Sequence, residues 1–144
     1  MAAFNIVMSQ IGFKVIRKGD IQTKDKKFTG SGIIIIVGLV GDLRGNVVYV
    51  MNPESAKRIA STMMASKQKD GLSDMSKSAL GELTNMLTAH VATAFSAMKI
   101  FLKISVPTCI EGDGIEITMS SDEVMCLQML IDGNPVDVNI SFEN

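Results

Sequence analysis

Residues 31–51 read SGIIIIVGLVGDLRGNVVYVM, and this stretch limits the fold more than any other. The apolar run GIIIIVGLVG occupies residues 32–41 and is closed by Asp42. It is about half the length of the roughly 20 residues that a bilayer-spanning helix requires. It is rich in β-branched isoleucine, which suits a pleated strand. It does not alternate between apolar and polar residues, so both faces of the strand must be covered, as at the centre of a sheet. GDLRG supplies a turn, and NVVYVM reads as the returning strand of a hairpin.

The surroundings of that hairpin define the fold class. Phe4, Val7, Met8 and Ile11 stand at helical spacing and predict a short N-terminal helix that ends near Gly12. Residues 13–30 are polar and punctuated by glycine, which predicts weak strand and loop. NPESAKRIASTMMA opens a helix, with Asn52 as cap, Pro53 at the first helical position and Glu54 on the dipole. Its apolar stripe is Ala56, Ile59, Ala60 and Met63. After a polar break, a long helix runs through residues 74–98, capped by Ser73 with Asp74 in its first turn. A strand interrupted at Pro107 follows. IEITMS, EVMCLQMLID and VDVNISF are further strands, and DGNP at 132–135 turns between the last two. This order lacks strict βαβ alternation. It predicts an α/β (α+β) two-layer domain, a mixed, largely antiparallel sheet packed under two long helices. With no repeat or linker in sight, residues 1–144 are expected to form one domain.

Composition removes several function classes. Hydrophobic residues make up 47% and charged residues 20% of the chain, a globular balance that argues against disorder. The 14 basic and 15 acidic residues leave no basic stripe for nucleic acid. The N-terminus lacks the charged start and long apolar block of a signal peptide, so a cytoplasmic protein with no membrane association is expected. Cys109 and Cys126 sit in no CxxC and have no His or Cys at metal spacing, so reduced, buried thiols are expected.

The long helix is the chemically informative element. With Glu82 at zero and about 100° per residue, Leu80, Leu83, Leu87, Val91 and Met98 share an arc of roughly 80°, the expected core face. Ser78, Glu82 and Asn85 form a polar stripe on the other side. The positions around them, 81, 89 and 92, are Gly, Ala and Ala. A solvated face would carry more Lys, Arg and Glu, often in i,i+4 pairs. Taken alone, the wheel leaves two readings open: a face covered by another part of the chain or a second copy, and a face that a partner approaches closely.

Spacing beyond the helix separates these readings. Ser78, Glu82, Asn85 and Pro107 stand in the pattern Ser-x3-Glu-x2-Asn-x21-Pro. This resembles the signature of the CheC/CheX/FliY family of chemotaxis phosphatases. GLVGDLRGNVVYVMNPESAKRIASTMMA, ALGELTNML and SVPTCIEG are similar to the segments around that signature, and the resemblance covers about residues 10–142. ExxN occurs once, as in the CheX branch, which implies a homodimer joined through its sheets.

The resemblance implies hydrolysis of the phospho-aspartate of a CheY-type response regulator in chemotaxis or another two-component pathway. It assigns Asn85 to positioning the attacking water and Glu82 to docking on the regulator's lysine. Ser78 is the supporting residue of the signature, and Pro107 shapes the neighbouring strand. Gly81, Met86 and Ala89 are candidates for contact with the partner. The chain needs no cofactor of its own, since Mg²⁺ is expected in the regulator. An amide suits the task because it donates and accepts hydrogen bonds while uncharged. The alternative is a non-catalytic dimeric module that binds a regulator through the same helix.

Other features have plainer explanations. His90, the sole histidine, lies at the edge of the stripe and the implied mechanism needs no general base. The glycines of GLVGDLRG and TGSG precede neither GK[ST] nor a GxGxxG helix and read as turns. Most of the 11 methionines are expected to fill the core. Glu111, Asp113 and Glu116 near EGDG lack metal-loop spacing and read as hairpin solvation.

Overall fold

The computed structural model describes residues 15–24, 27–64, 74–119 and 124–143. The expected N-terminal helix with Phe4, Val7, Met8 and Ile11, and the Ser73 cap, lie outside the described residues. The elements are β1 (Val15–Lys24), β2 (Lys27–Gly41), β3 (Gly45–Met51), α1 (Pro53–Met64), α2 (Asp74–Ala97), β4 (Leu102–Ile104), β5 (Thr108–Thr118), β6 (Val124–Ile131) and β7 (Asn134–Phe142).

The isoleucine-rich strand is the spine. One edge of β2 pairs with β3 over Ile33–Leu39. The other pairs with β5 over Lys27–Ile36 and with β4 over Leu39–Gly41. The sheet runs β1-β6-β7-β3-β2-β4, with β5 beside β2. The expected sheet is mixed and largely antiparallel; all six described pairings are antiparallel, so the mixed part of that expectation is corrected. Because β3 and β4 flank β2 on opposite sides, the chain must cross from one to the other. Helices α1 and α2 make that crossing and cover one face.

Side-chain alternation along β2 explains why the run is apolar throughout. Ile33, Ile35, Val37 and Leu39 pack with Val47, Tyr49, Met51, Ala56, Ile59, Ala60, Leu80, Leu83 and Leu87 on the helix side. Ile34 turns the other way and joins Val48, Ile117, Met119 and Val124. Both faces are therefore buried at the same strand.

Local chemistry fixes the ends of the elements. The Ser55 N–H donates to Asn52 Oδ1 at 2.8 Å, the cap read from the sequence. Asp132 and Gly133, with φ of 50° and 79°, form the two-residue turn that joins β6 to β7. Two expectations need correction. EGDG and IEITMS are not a hairpin followed by a separate strand, because β5 runs unbroken through them. Between the Gly30–Ile115 and Gly32–Gly112 pairs, β5 holds one residue more than β2, a bulge. Gly114, at φ 61°, accommodates it, and its N–H donates to Ser31 Oγ at 2.8 Å. Met98 is not a core residue: α2 ends at Ala97 and Met98 is 61% exposed. Its wheel angle is correct, but the helix stops before that angle applies.

Candidate functional site

Helix α2 is held rigidly from behind. Leu80, Leu83 and Leu87 are buried as expected, and Val91 packs partly against them. The buried arc also includes Thr84 and Thr88, which an apolar wheel misses. Their hydroxyls are satisfied within a short chain of hydrogen bonds. Thr84 Oγ1 donates to the Gly81 carbonyl at 2.9 Å and Thr88 Oγ1 to the Thr84 carbonyl at 2.7 Å. Thr88 has thus used its proton, so the Tyr49 hydroxyl, 3.0 Å away, donates to it. Tyr49 is fully buried on β3, and burial raises its pKa far above the usual phenol value. Helix and sheet are thereby locked in register beneath the signature residues.

On the outer side, Ser78 and Glu82 are exposed and Asn85 is half-buried. The Asn85 side-chain oxygen is buried and accepts no hydrogen bond. Such an orphaned acceptor costs about 1–3 kcal/mol, and among the described residues Asn139 Oδ1 is in the same position. Farther along the same face, Thr93 and Ser96 return their hydroxyls to the carbonyls of Ala89 and Thr93. They leave the face with little polarity of its own.

Pro107 reaches the helix, as the spacing of the signature requires. A Cβ placed on Gly81 would stand 3.5 Å from Pro107 Cγ. Gly81 is buried there, and a side chain as small as alanine would meet Pro107 at ordinary van der Waals distance. Ala89 and Met86 are half-buried beside the stripe. The structure thus brings Ser78, Gly81, Glu82 and Pro107 together around a groove of about 310 Å³. Lys77 and Cys109 complete its lining.

Those last two residues were not singled out from the sequence. Cys109, on β5, stands two positions past Pro107, and both line the groove; that spacing was the available signal. The expectation of two buried thiols is corrected, since Cys109 and Cys126 are half-buried and both are free. Burial raises the Cys109 pKa, Lys77 opposes that rise and Glu111 adds to it. Lys77 Nζ lies 3.5 Å from Glu111 Oε1. Glu111 therefore has a partner across to α2, beyond the solvation expected for it. Among the described residues, no three His, Cys, Asp or Glu side chains gather to hold a metal ion. No described helix is long and apolar enough to cross a membrane.

Comparison with known proteins places this geometry in a family. A curated relative from Thermotoga maritima, named CheY-P phosphatase CheX, is 27% identical over 85 residues, or 59% of this chain. The chain spans just over half, 55%, of that relative's length. The crystal structure of a chemotaxis protein CheX from Desulfovibrio desulfuricans superimposes with a TM-score of 0.83 at 23% identity, covering 99% of this chain and 94% of that one. A CheX-CheY-BeF3-Mg²⁺ complex from Borrelia burgdorferi gives 0.72 at 23% identity, covering 99% and 97%. At these identities the two structures establish the fold. The family profile described as chemotaxis phosphatase CheX matches residues 33–130, well over half of the 144 residues, and includes the stripe at Ser78, Glu82 and Asn85. The chain belongs to the CheX family of chemotaxis phosphatases.

Proposed function

We propose that the chain hydrolyses the phospho-aspartate of a CheY-type response regulator, with Asn85 positioning the attacking water and Glu82 docking on the regulator. The observation that carries this reading is the placement of Ser78, Glu82 and Asn85 along one face of a helix anchored from behind, within the stretch that the family profile matches. The name of the Thermotoga relative and the CheX-CheY complex from Borrelia support the choice of partner.

The reaction asks little of this chain. Water attacks phosphorus in line, the bond from phosphorus to the aspartyl carboxylate oxygen breaks, and free aspartate and inorganic phosphate result. The regulator's own pocket holds the Mg²⁺ and lysine that neutralise developing charge. What this chain adds is orientation: an uncharged amide that holds one water and an exposed carboxylate that pairs with the regulator's lysine. Such positioning supplies several kcal/mol of barrier lowering. Ser78 stands one turn before Glu82 and supports it, while Pro107 sets the distance between the 105–107 segment and the helix. The homodimer, the cytoplasmic location and the single domain belong to the same proposal.

The test is phosphate release from a phosphorylated CheY-type regulator with Mg²⁺, at substoichiometric amounts of this protein. Turnover by the wild type, reduced about 10²–10³-fold in kcat by Asn85→Ala, is the expected result. Glu82→Ala is expected to act mainly through KM. Binding without acceleration at any dose would reject catalysis and leave a docking module.

A further inference from the structure

Two exposed apolar side chains stand close in sequence to the residues that line the groove. Val106 is 86% exposed and Met75 is 70% exposed. Val106 belongs to the short segment between β4 and β5 and precedes Pro107, which packs on Gly81. Met75 lies on the same arc of α2 as Ser78 and Glu82, about 10 Å along the axis from Glu82. The two residues thus border the signature stripe, one beside it and one beyond its N-terminal end.

Val106 is exposed but held. On one side, the Ser105 N–H donates to the Gly38 carbonyl at 2.9 Å, while Ser105 Oγ accepts from the Gly38 N–H at 2.8 Å. On the other side, Pro107 has a fixed φ and confines the residue before it to extended conformations. Valine is also stiff at χ1. The side chain is therefore presented to solvent in nearly one conformation, and little entropy is lost when something covers it. Met75 is the flexible counterpart, able to fit an irregular surface. Glu82 and Lys77, the latter paired with Glu111, line the same groove as Pro107, a polar setting for apolar contacts.

The geometry points to Val106 and Met75 as the apolar contacts that seat the response regulator over Glu82 and Asn85. This inference rests on the function proposed above and extends it to how the partner is chosen. The occupant follows from continuity: a protein whose phosphorylated pocket meets Asn85 must also lie against the residues bordering that face. A rigid valine beside the site then tests the shape of the regulator's surface, while Asn85 acts only on regulators that seat.

The experiment measures binding of a CheY-type regulator loaded with BeF3 and Mg²⁺, so that it does not depend on turnover. Val106→Asp and Met75→Asp are expected to weaken binding roughly tenfold or more each, and Val106→Ser less. In phosphate release, KM rises correspondingly and kcat stays near wild type. Phe101→Asp serves as control, since Phe101 is 63% exposed beyond the far end of α2. Wild-type affinity in both aspartate variants, or an equal loss in Phe101→Asp, overturns the inference. So does a Val106→Asp variant that changes only self-association of this chain. Binding that depends on Val106 and Met75 without turnover by the wild type supports this inference and rejects the catalytic reading. Absence of wild-type binding rejects both.

Discussion

Single residues carry the clearest consequences. The Tyr49 hydroxyl has one role, donation to Thr88 in a dry interior. Tyr49→Phe should lower stability by about 1 kcal/mol in urea unfolding, because Thr88 keeps its own bond to the Thr84 carbonyl. The turnover proposed for Asn85 should survive that change at temperatures where the variant is folded. Cys109 offers a second handle. Only the thiolate reacts, and burial holds the Cys109 pKa above the ordinary thiol value. Its alkylation should therefore rise with pH later than that of an exposed cysteine. Lys77 opposes the shift and Glu111 adds to it. Lys77→Ala should accordingly slow labelling at mildly alkaline pH and Glu111→Gln should speed it, as followed by mass spectrometry. None of this residue-scale detail was visible in the sequence, because it depends on which groups lose water. The spacing from Ser78 to Pro107 was visible, since a helix and a following strand have fixed repeats.

At the scale of elements, the sequence was most informative where one strong physical cause acts alone. The isoleucine run, the Asn52 cap and the Asp132–Gly133 turn were legible for that reason. Errors came where two causes compete. At EGDG, two glycines and two acids indicate a turn, yet pairing along β2 carries the strand through with one extra residue. The end of α2 is another case. Lys99 adopts φ 63°, its N–H donates to the Ser96 carbonyl and the Ile100 N–H donates to the Phe95 carbonyl, both at 3.0 Å. This is a Schellman motif without the usual glycine, and no residue announces it. Lys99→Gly relieves a left-handed conformation costing about 1–2 kcal/mol and adds about 0.4–1 kcal/mol of unfolded-chain entropy. A net gain of about 0.5–1 kcal/mol is expected, readable as a higher urea midpoint with an unchanged slope. The edge-to-face contact of Phe95 with Phe142, centroids 5.6 Å apart, holds the same end against β7 and should persist.

For the whole molecule, the deciding property is a sheet packed on both faces. Ile34 and Ile35 are neighbours in sequence, both are fully buried, and they belong to separate clusters. Ile34→Ala and Ile35→Ala should each cost about 2–5 kcal/mol in chemical denaturation. A loss below about 0.5 kcal/mol at Ile34, the level of a surface change, would contradict the second cluster. The strand order has a further consequence, for synthesis. β3 is closed on its outer edge by β7, and among the described strands β1 joins the sheet through β6. A growing chain that has made the β2–β3 hairpin therefore keeps an open, apolar edge until residues 134–142 are available. The earliest strand waits for one of the latest, so closure of the sheet is a late, long-range event. Over that interval the nascent chain is most dependent on whatever shields hydrophobic strands in the cell.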